Sequence, residues 1–152
     1  MKLAIVAVGR AKPGPEQDLL HQYLRRIQPA PAIREVEEKR ALPTAQLKAR
    51  EAELLLAQVP AGAPGVALDE RGAEIGSEDF ARRLEAWRDA GVPEVAFLIG
   101  GADGHGQAVR DRADFTLALG KMTWPHMLVR ALLAEQLWRA QAISSRHPYH
   151  RA

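Results

Sequence analysis

Two stretches in the last third of the chain decide the fold: Ala96-Phe97-Leu98-Ile99-Gly100-Gly101-Ala102-Asp103-Gly104, and Phe115-Thr116-Leu117-Ala118-Leu119-Gly120-Lys121-Met122-Thr123-Trp124-Pro125-His126. Each is an apolar run of strand length that breaks into a glycine-bearing loop, and the second loop opens a long helical pattern. Units of this kind build parallel α/β sheets, whose ligands lie beyond the carboxyl ends of the strands. Glycine at those ends lets the backbone come close, so main-chain groups can hold a flat ligand.

Outward from there, strands and helices alternate. Lys2–Val8 is a continuous apolar run, the kind buried on both faces of a parallel sheet. A helix is expected over Glu16–Ile27, with Leu19, Leu20, Tyr23, Leu24 and Ile27 on its apolar face and Pro29 and Pro31 ending it. Ile33–Glu37 is more polar and suits an edge strand. Thr44 is placed to cap a helix reaching Leu56, and Gly65–Leu68 is a short strand. Ser77 is placed to cap the next helix, which carries Phe80, Leu84 and Trp87 and stops at Gly91. Strands at Val95–Ile99 and Phe115–Leu119 follow. Pro125 suits the first turn of the last helix, packed by Leu128, Leu132, Leu133 and Leu137 as far as Ala142. The pattern predicts a single α/β domain over residues 1–152: an open, mostly parallel sheet with helices on both faces. Three strand ends become candidate binding loops: Leu68-Asp69, Gly100–Gly104 and Gly120–Trp124.

With 152 residues, 47% hydrophobic and 26% charged, the chain can bury a real core. It has no cysteine, which excludes disulfides, zinc–thiolate sites and cysteine nucleophiles and fits a reducing cytoplasm. The run Met1–Val8 is too short for a signal peptide and is followed at once by Arg10 and Lys12. No stretch has the length of a membrane span. A net charge of +2 and a pI near 9.2 permit RNA contact without announcing it.

The usual site chemistries fail on spacing. Gly100, Gly101, Gly104 and Gly106 lie too late and in the wrong pattern for a dinucleotide fingerprint. Gly120-Lys121-Met122 lacks the earlier glycine and the Ser/Thr of a P-loop. His147 and His150 flank Pro148 with no carboxylate or cysteine nearby, which argues against a metal. Asp69, Glu70 and Asp103 are the carboxylates at loop mouths, and no spacing rule makes them a hydrolytic pair. Trp87, Trp124 and Trp138 suit core or interface positions, and Arg82, Arg83 and Arg88 a solvated helix face.

Further motifs carry a resemblance over the whole chain. Leu98–Gly104, Thr123-Trp124-Pro125-His126-Met127-Leu128-Val129-Arg130, Glu135-Gln136-Leu137-Trp138-Arg139-Ala140 and the terminal His147-Pro148-Tyr149-His150-Arg151 look like the ribosomal RNA large-subunit methyltransferase H family; Met1–Gly9 and Tyr23–Arg26 match too. The resemblance implies a SPOUT-class α/β homodimer with a deep trefoil knot near the C-terminus. It implies S-adenosylmethionine as cofactor and N3 of a pseudouridine in 23S rRNA, on assembled ribosomes, as target. Carried over by motif, the cofactor pocket is Leu68, Gly100 and the run Leu119, Gly120, Lys121, Met122, Thr123 and Trp124. These are the loops that the strand-end rule selects independently. Lys121 departs from the small or apolar residues usual there, and Ala102 replaces a proline that some members carry. A sulfonium methyl is already activated, so the chemistry needs neither metal nor cysteine. The imide proton must leave, and His126, His150 and Arg151 are the groups available, with Tyr149 a ring to stack on the base. The tail from His147 to Arg151 is expected to complete the partner subunit's site. Two other readings stay open on residues alone: a nucleotide-dependent oxidoreductase, and a non-catalytic ribosome- or RNA-binding module.

Overall fold

The computed structural model describes residues 1–151. Its elements run β1 (Lys2–Val8), α1 (Pro15–Leu24), β2 (Ala32–Val36), α2 (Thr44–Leu56), β3 (Gly65–Ala73), α3 (Ser77–Asp89), β4 (Glu94–Ile99), α4 (Gln107–Arg112), β5 (Phe115–Leu117) and α5 (His126–Ser144). The strands form one sheet in the order β2-β1-β4-β3-β5, and every pairing is parallel. The polar strand β2 is an edge, as its composition requires.

Period-two alternation divides the core between the two sheet faces. Ile5, Ala7, Val66, Leu68, Val95, Phe97 and Ile99 join residues of α1, α3 and α5 in one cluster. Val6, Val8, Ala67, Ala96 and Leu98 join α2 and α4 through Ala52, Leu55 and Val109 in the other. Both faces are covered, which is why β1 and β4 are apolar without a break. Helix α5 lies against both α1 and α3. Its Ala131, Leu133, Ala134, Leu137 and Ala140 are buried in the first cluster.

Local expectations shift at several ends. Helix α1 stops at Leu24, and Ile27 is buried beyond its end, while Leu19 is exposed rather than packed. Thr44 and Ser77 are first helical residues, not caps: Pro43 and Gly76 hold the cap positions, without a side-chain hydrogen bond. The Ser77 hydroxyl instead donates to Gln136 Oε1 of α5 at 2.7 Å. Pro125 likewise precedes α5 at its cap. Gly91, with φ of +79°, does end α3 just past its cap.

Strand β3 runs five residues past Leu68, its pairing with β5 shifting register between Leu68 and Ala73. Glycine is required in that extension, because a Cβ on Gly72 would lie 2.6 Å from the Thr116 carbonyl oxygen. Two main chains pass there with no room for a side chain.

Candidate active site

The carboxyl ends of β3, β4 and β5 and the start of α5 enclose a cavity of about 570 Å³. Leu68, Gly100, Leu119, Gly120, Met122, Thr123 and Trp124 line it, as expected, and so does His126. Lys121 is exposed and lies outside the lining. Backbone constraint shapes the walls. A Cβ on Gly100 would sit 3.2 Å from the Gly104 carbonyl carbon and from His105 Nδ1, and one on Gly101 would sit 3.1 Å from Glu51 Oε2. Gly120 has φ of +109°, a conformation other residues rarely adopt. The loop it opens is tied down at both ends. Thr123 Oγ1 donates to Glu70 Oε2, and Trp124 Nε1 donates to the Leu119 carbonyl at 3.2 Å. Trp124 is neither core nor hidden: it stands 42% exposed at the rim.

The mouth carboxylates are not a hydrolytic pair. Asp69 is engaged by Arg71 and Arg110, each at 3.4 Å, and Glu70 by Thr123. Among the described residues no cluster of three or more His, Cys, Asp or Glu could hold a metal ion.

Sequence reasoning missed three polar residues packed around the site. His105, on the cavity wall and 3% exposed, places Nε2 at 3.1 Å from the Leu98 carbonyl. A carbonyl only accepts, so Nε2 carries the proton and Nδ1 is left a bare acceptor. Burial pushes the His105 imidazolium pKa down, against smaller raising effects from the Leu98 bond and Asp69. Glu51, on α2, lies beside Gly101; burial raises its carboxyl pKa, and Asp103 adds to the rise. Arg130, on α5, is the largest fully buried side chain. It donates to Glu35 Oε2 at 2.5 Å and to the Gly9 and Val8 carbonyls at 3.0 and 3.3 Å. Glu35 also accepts the Ala11 N–H at 2.8 Å. Burial works to raise the Glu35 carboxyl, but the bonds from Arg130 and Ala11 outweigh it and hold the pKa below 4.5. This network pins the end of β1 to the start of α5, where Gly9 faces His126 and Met127. No motif marks a buried arginine in advance; Arg130 sits in an amphipathic stretch among leucines.

The tail lies elsewhere. Tyr149, His150 and Arg151 do not line the cavity of their own chain. Tyr149 and His150 pack on the outer side of α5, near its middle: Tyr149 Oη donates to Glu135 Oε1 at 2.9 Å, and Arg139 Nη1 meets His150 Nδ1 at 3.2 Å. Arg151 is exposed.

Residues 1–150 match the family model described as Predicted SPOUT methyltransferase. The chain is 70% identical over 151 residues to the protein of Paramagnetospirillum magneticum named Ribosomal RNA large subunit methyltransferase H, covering 99% of each. Proteins of the same name from Rhodospirillum rubrum and Rhodospirillum centenum are 60% and 56% identical over the full length of both chains. The chain is therefore a methyltransferase that belongs to the SPOUT class, within the ribosomal RNA large subunit methyltransferase H family.

Proposed function

We propose that this enzyme methylates N3 of a pseudouridine in 23S rRNA, on assembled ribosomes in the cytoplasm, using S-adenosylmethionine and working as a homodimer. The observation that carries the reading is the cavity itself: three strand-end loops of one parallel sheet converge on about 570 Å³, within the size range of small-ligand sites. Main-chain groups of Leu68, Gly100 and Leu119–Trp124 would hold the cofactor. The fit rests on the glycines: the walls at Gly100 and Gly101 have backbone or carboxylate within about 3.2 Å of where a Cβ would stand. When bound, the cofactor supplies a methyl group already activated on sulfonium. The protein must then orient the imide nitrogen in line and let its proton leave. His126, half-buried on the cavity wall, is placed to take that proton.

Geometry also favours a site shared between subunits. At 1.5 Å per residue, Glu135 stands about 14 Å along α5 from His126. The tail that seats on Glu135 therefore stops well short of its own cavity. A second copy docked along α5 would bring the tail to a cavity it can serve. Leu128 and Leu132 remain half-buried on α5, and Met122 and Trp124 are 75% and 42% exposed beside its start, leaving apolar surface for that contact. The family also implies a trefoil knot near the C-terminus, the region where β3 and β5 run side by side and the Ala118 N–H donates to the Ala73 carbonyl at 2.9 Å.

Titration calorimetry with S-adenosylmethionine tests the pocket, and binding is expected. Methyl transfer to ribosomes that far exceeds transfer to protein-stripped rRNA tests the substrate. Equal transfer to both would overturn the ribosome requirement, and a chain that binds rRNA without taking up cofactor would restore the non-catalytic reading.

A further inference from the structure

The C-terminal tail is a built structure. Helix α5 ends in a paired turn: the His147 N–H donates to the Ala142 carbonyl at 2.8 Å and the Arg146 N–H to the Ile143 carbonyl at 3.2 Å. Arg146 takes the left-handed position, φ of 57°, that glycine usually fills in this motif. The turn sends the chain back along α5. His147 then accepts the Tyr149 N–H on Nδ1 at 3.1 Å. Trp138 lies beneath, its ring 5.3 Å from that of His147 and 5.6 Å from that of Tyr149. The Arg139 guanidinium lies over the Tyr149 ring at 4.8 Å and donates to Glu135, which accepts the Tyr149 hydroxyl on the same oxygen.

His150 is seated most specifically. A guanidinium has no acceptor, so the contact from Arg139 Nη1 requires a lone pair on His150 Nδ1. The ring proton then sits on Nε2, which is buried and faces Glu78 Oε1 of α3 at 3.5 Å. One ring nitrogen is occupied and the other is already protonated. His150 in this seat has no free basic nitrogen. Tyr149 has its hydroxyl bound and its ring covered by Arg139 and Trp138.

Resting on the reading that the tail serves the active site, we propose that Glu135 and Arg139 are positioning residues of the reaction: they seat Tyr149 and His150 as anchors of the tail, not as stacking ring and base, so that the exposed Arg151 is the group delivered to the RNA. The chemistry suits Arg151, a permanent cation beside an imide that must become an anion or beside a phosphate.

The groups facing His150 are Arg139 and, behind it, Glu135 on α5, Glu78 on α3, and Tyr149 beside it in the tail. Glutamine in place of His150 keeps an acceptor for Arg139 and a donor for Glu78 but cannot titrate. His150→Gln should therefore hold methylation of ribosomes within about tenfold of the native rate, with an unchanged pH profile, while His150→Ala loses more. A general base is worth about 10²–10⁴ in rate, so a catalytic His150 would make both variants equally poor. Arg139→Met and Glu135→Gln should lower kcat while leaving KM for S-adenosylmethionine and the oligomeric mass unchanged, and Arg139→Lys should recover part of the loss. Arg151→Ala should lose about 10²–10³, as removal of one anion-stabilising donor does. Long-range nitrogen–proton NMR of histidine-labelled protein reads the tautomer directly: Nε2–H alone at His150, and a mixture in Arg139→Met. A His150→Gln enzyme as inactive as His150→Ala, or a native His150 protonated on Nδ1, overturns the proposal. Full activity after removal of Tyr149–Ala152 overturns instead the reading it rests on, and the NMR result would stand apart from that outcome.

Discussion

The two ends of α5 are built on opposite principles. At its N-terminal end the site is main chain: the walls are loops at strand ends, and glycines hold them where a Cβ would meet backbone or a carboxylate. At its C-terminal end the backbone does little beyond one turn, and side chains do the work: Trp138 as floor, Glu135 and Arg139 as clamps, Tyr149 and His150 as the seated pieces. The first region should tolerate changes of side chain and fail when backbone is displaced. The second should behave the other way. A binding surface built from backbone suits a cofactor of constant shape. A seat built from side chains suits an arm that must be held at one angle toward a large substrate.

The largest expected effect breaks the comparison at the tail. Removing Tyr149–Ala152 should lower methylation by about 10³ or more while leaving cofactor affinity and dimerisation nearly intact, because Tyr149, His150 and Arg151 lie outside the cavity of their own chain. Mixed with Gly100→Val subunits, the truncated protein should recover up to one working site per heterodimer. Absence of recovery would place tail and cavity in the same subunit. Next comes Gly100→Val alone. Its Cβ meets the Gly104 carbonyl carbon and His105 Nδ1 at 3.2 Å, and two methyls beyond it add bulk against the cavity. Cofactor affinity by calorimetry should fall by about 100-fold, equivalent to about 2.7 kcal/mol. A folded variant that binds normally would move the pocket elsewhere.

Between the two ends, Arg130 ties α5 to β1 and β2, and its loss should be read in stability. Its side chain is 2% exposed and that of Glu35 23%. Breaking one side of such a pair costs about 3 kcal/mol, since the remaining carboxylate and two carbonyls lose their donor. Arg130→Met should show that deficit in denaturant unfolding at neutral pH. The folded Glu35 pKa lies below its ordinary 4.5, so its contribution is present above that pH and is lost as the pH falls below it. The gap between native and variant should therefore narrow in acid. A gap independent of pH would mean that Arg130 acts by packing alone.

How much of this was legible follows the same divide. The strands were readable because burial on both faces leaves an apolar run with no alternation, and β1 and β4 are such runs. The cavity followed from strand ends and glycines, which are local signals. Helix α4 was not readable: it has six residues and one buried side chain, Val109, too few for a period to show. The extension of β3 to Ala73 was hidden because Asp69–Arg71 are polar and lie in the register break between Leu68 and Ala73, the two residues that both pair with Leu117 of β5. Thr44 and Ser77 had the chemistry of caps but lie one residue inside their helices, where α5 offers Ser77 a better partner. Arg130 and His105 look like surface residues in a sequence. Their burial depends on carbonyl acceptors 121 and 7 positions away, which no local pattern displays. The tail was identifiable only through the family resemblance, and its anchoring to Glu135 and Arg139 depends on a chain reversal set by Arg146.

The smallest expected effect is the sharpest test of a backbone-built pocket. Lys121 stands in the middle of the loop Leu119–Trp124, and it is the one residue of that loop outside the cavity lining. Its neighbour Gly120 turns the chain with φ of +109°, and Thr123 and Trp124 fasten the loop through Glu70 and the Leu119 carbonyl. The loop's shape therefore does not depend on the Lys121 side chain, which points charge into solvent without a hydrogen bond or ion pair among the described residues. Lys121→Ala should change cofactor affinity by less than about twofold, under 0.5 kcal/mol, as surface substitutions do. A loss of tenfold or more would mean that the lysine folds over the bound cofactor, and that the N-terminal end of α5 recognises its ligand with side chains after all.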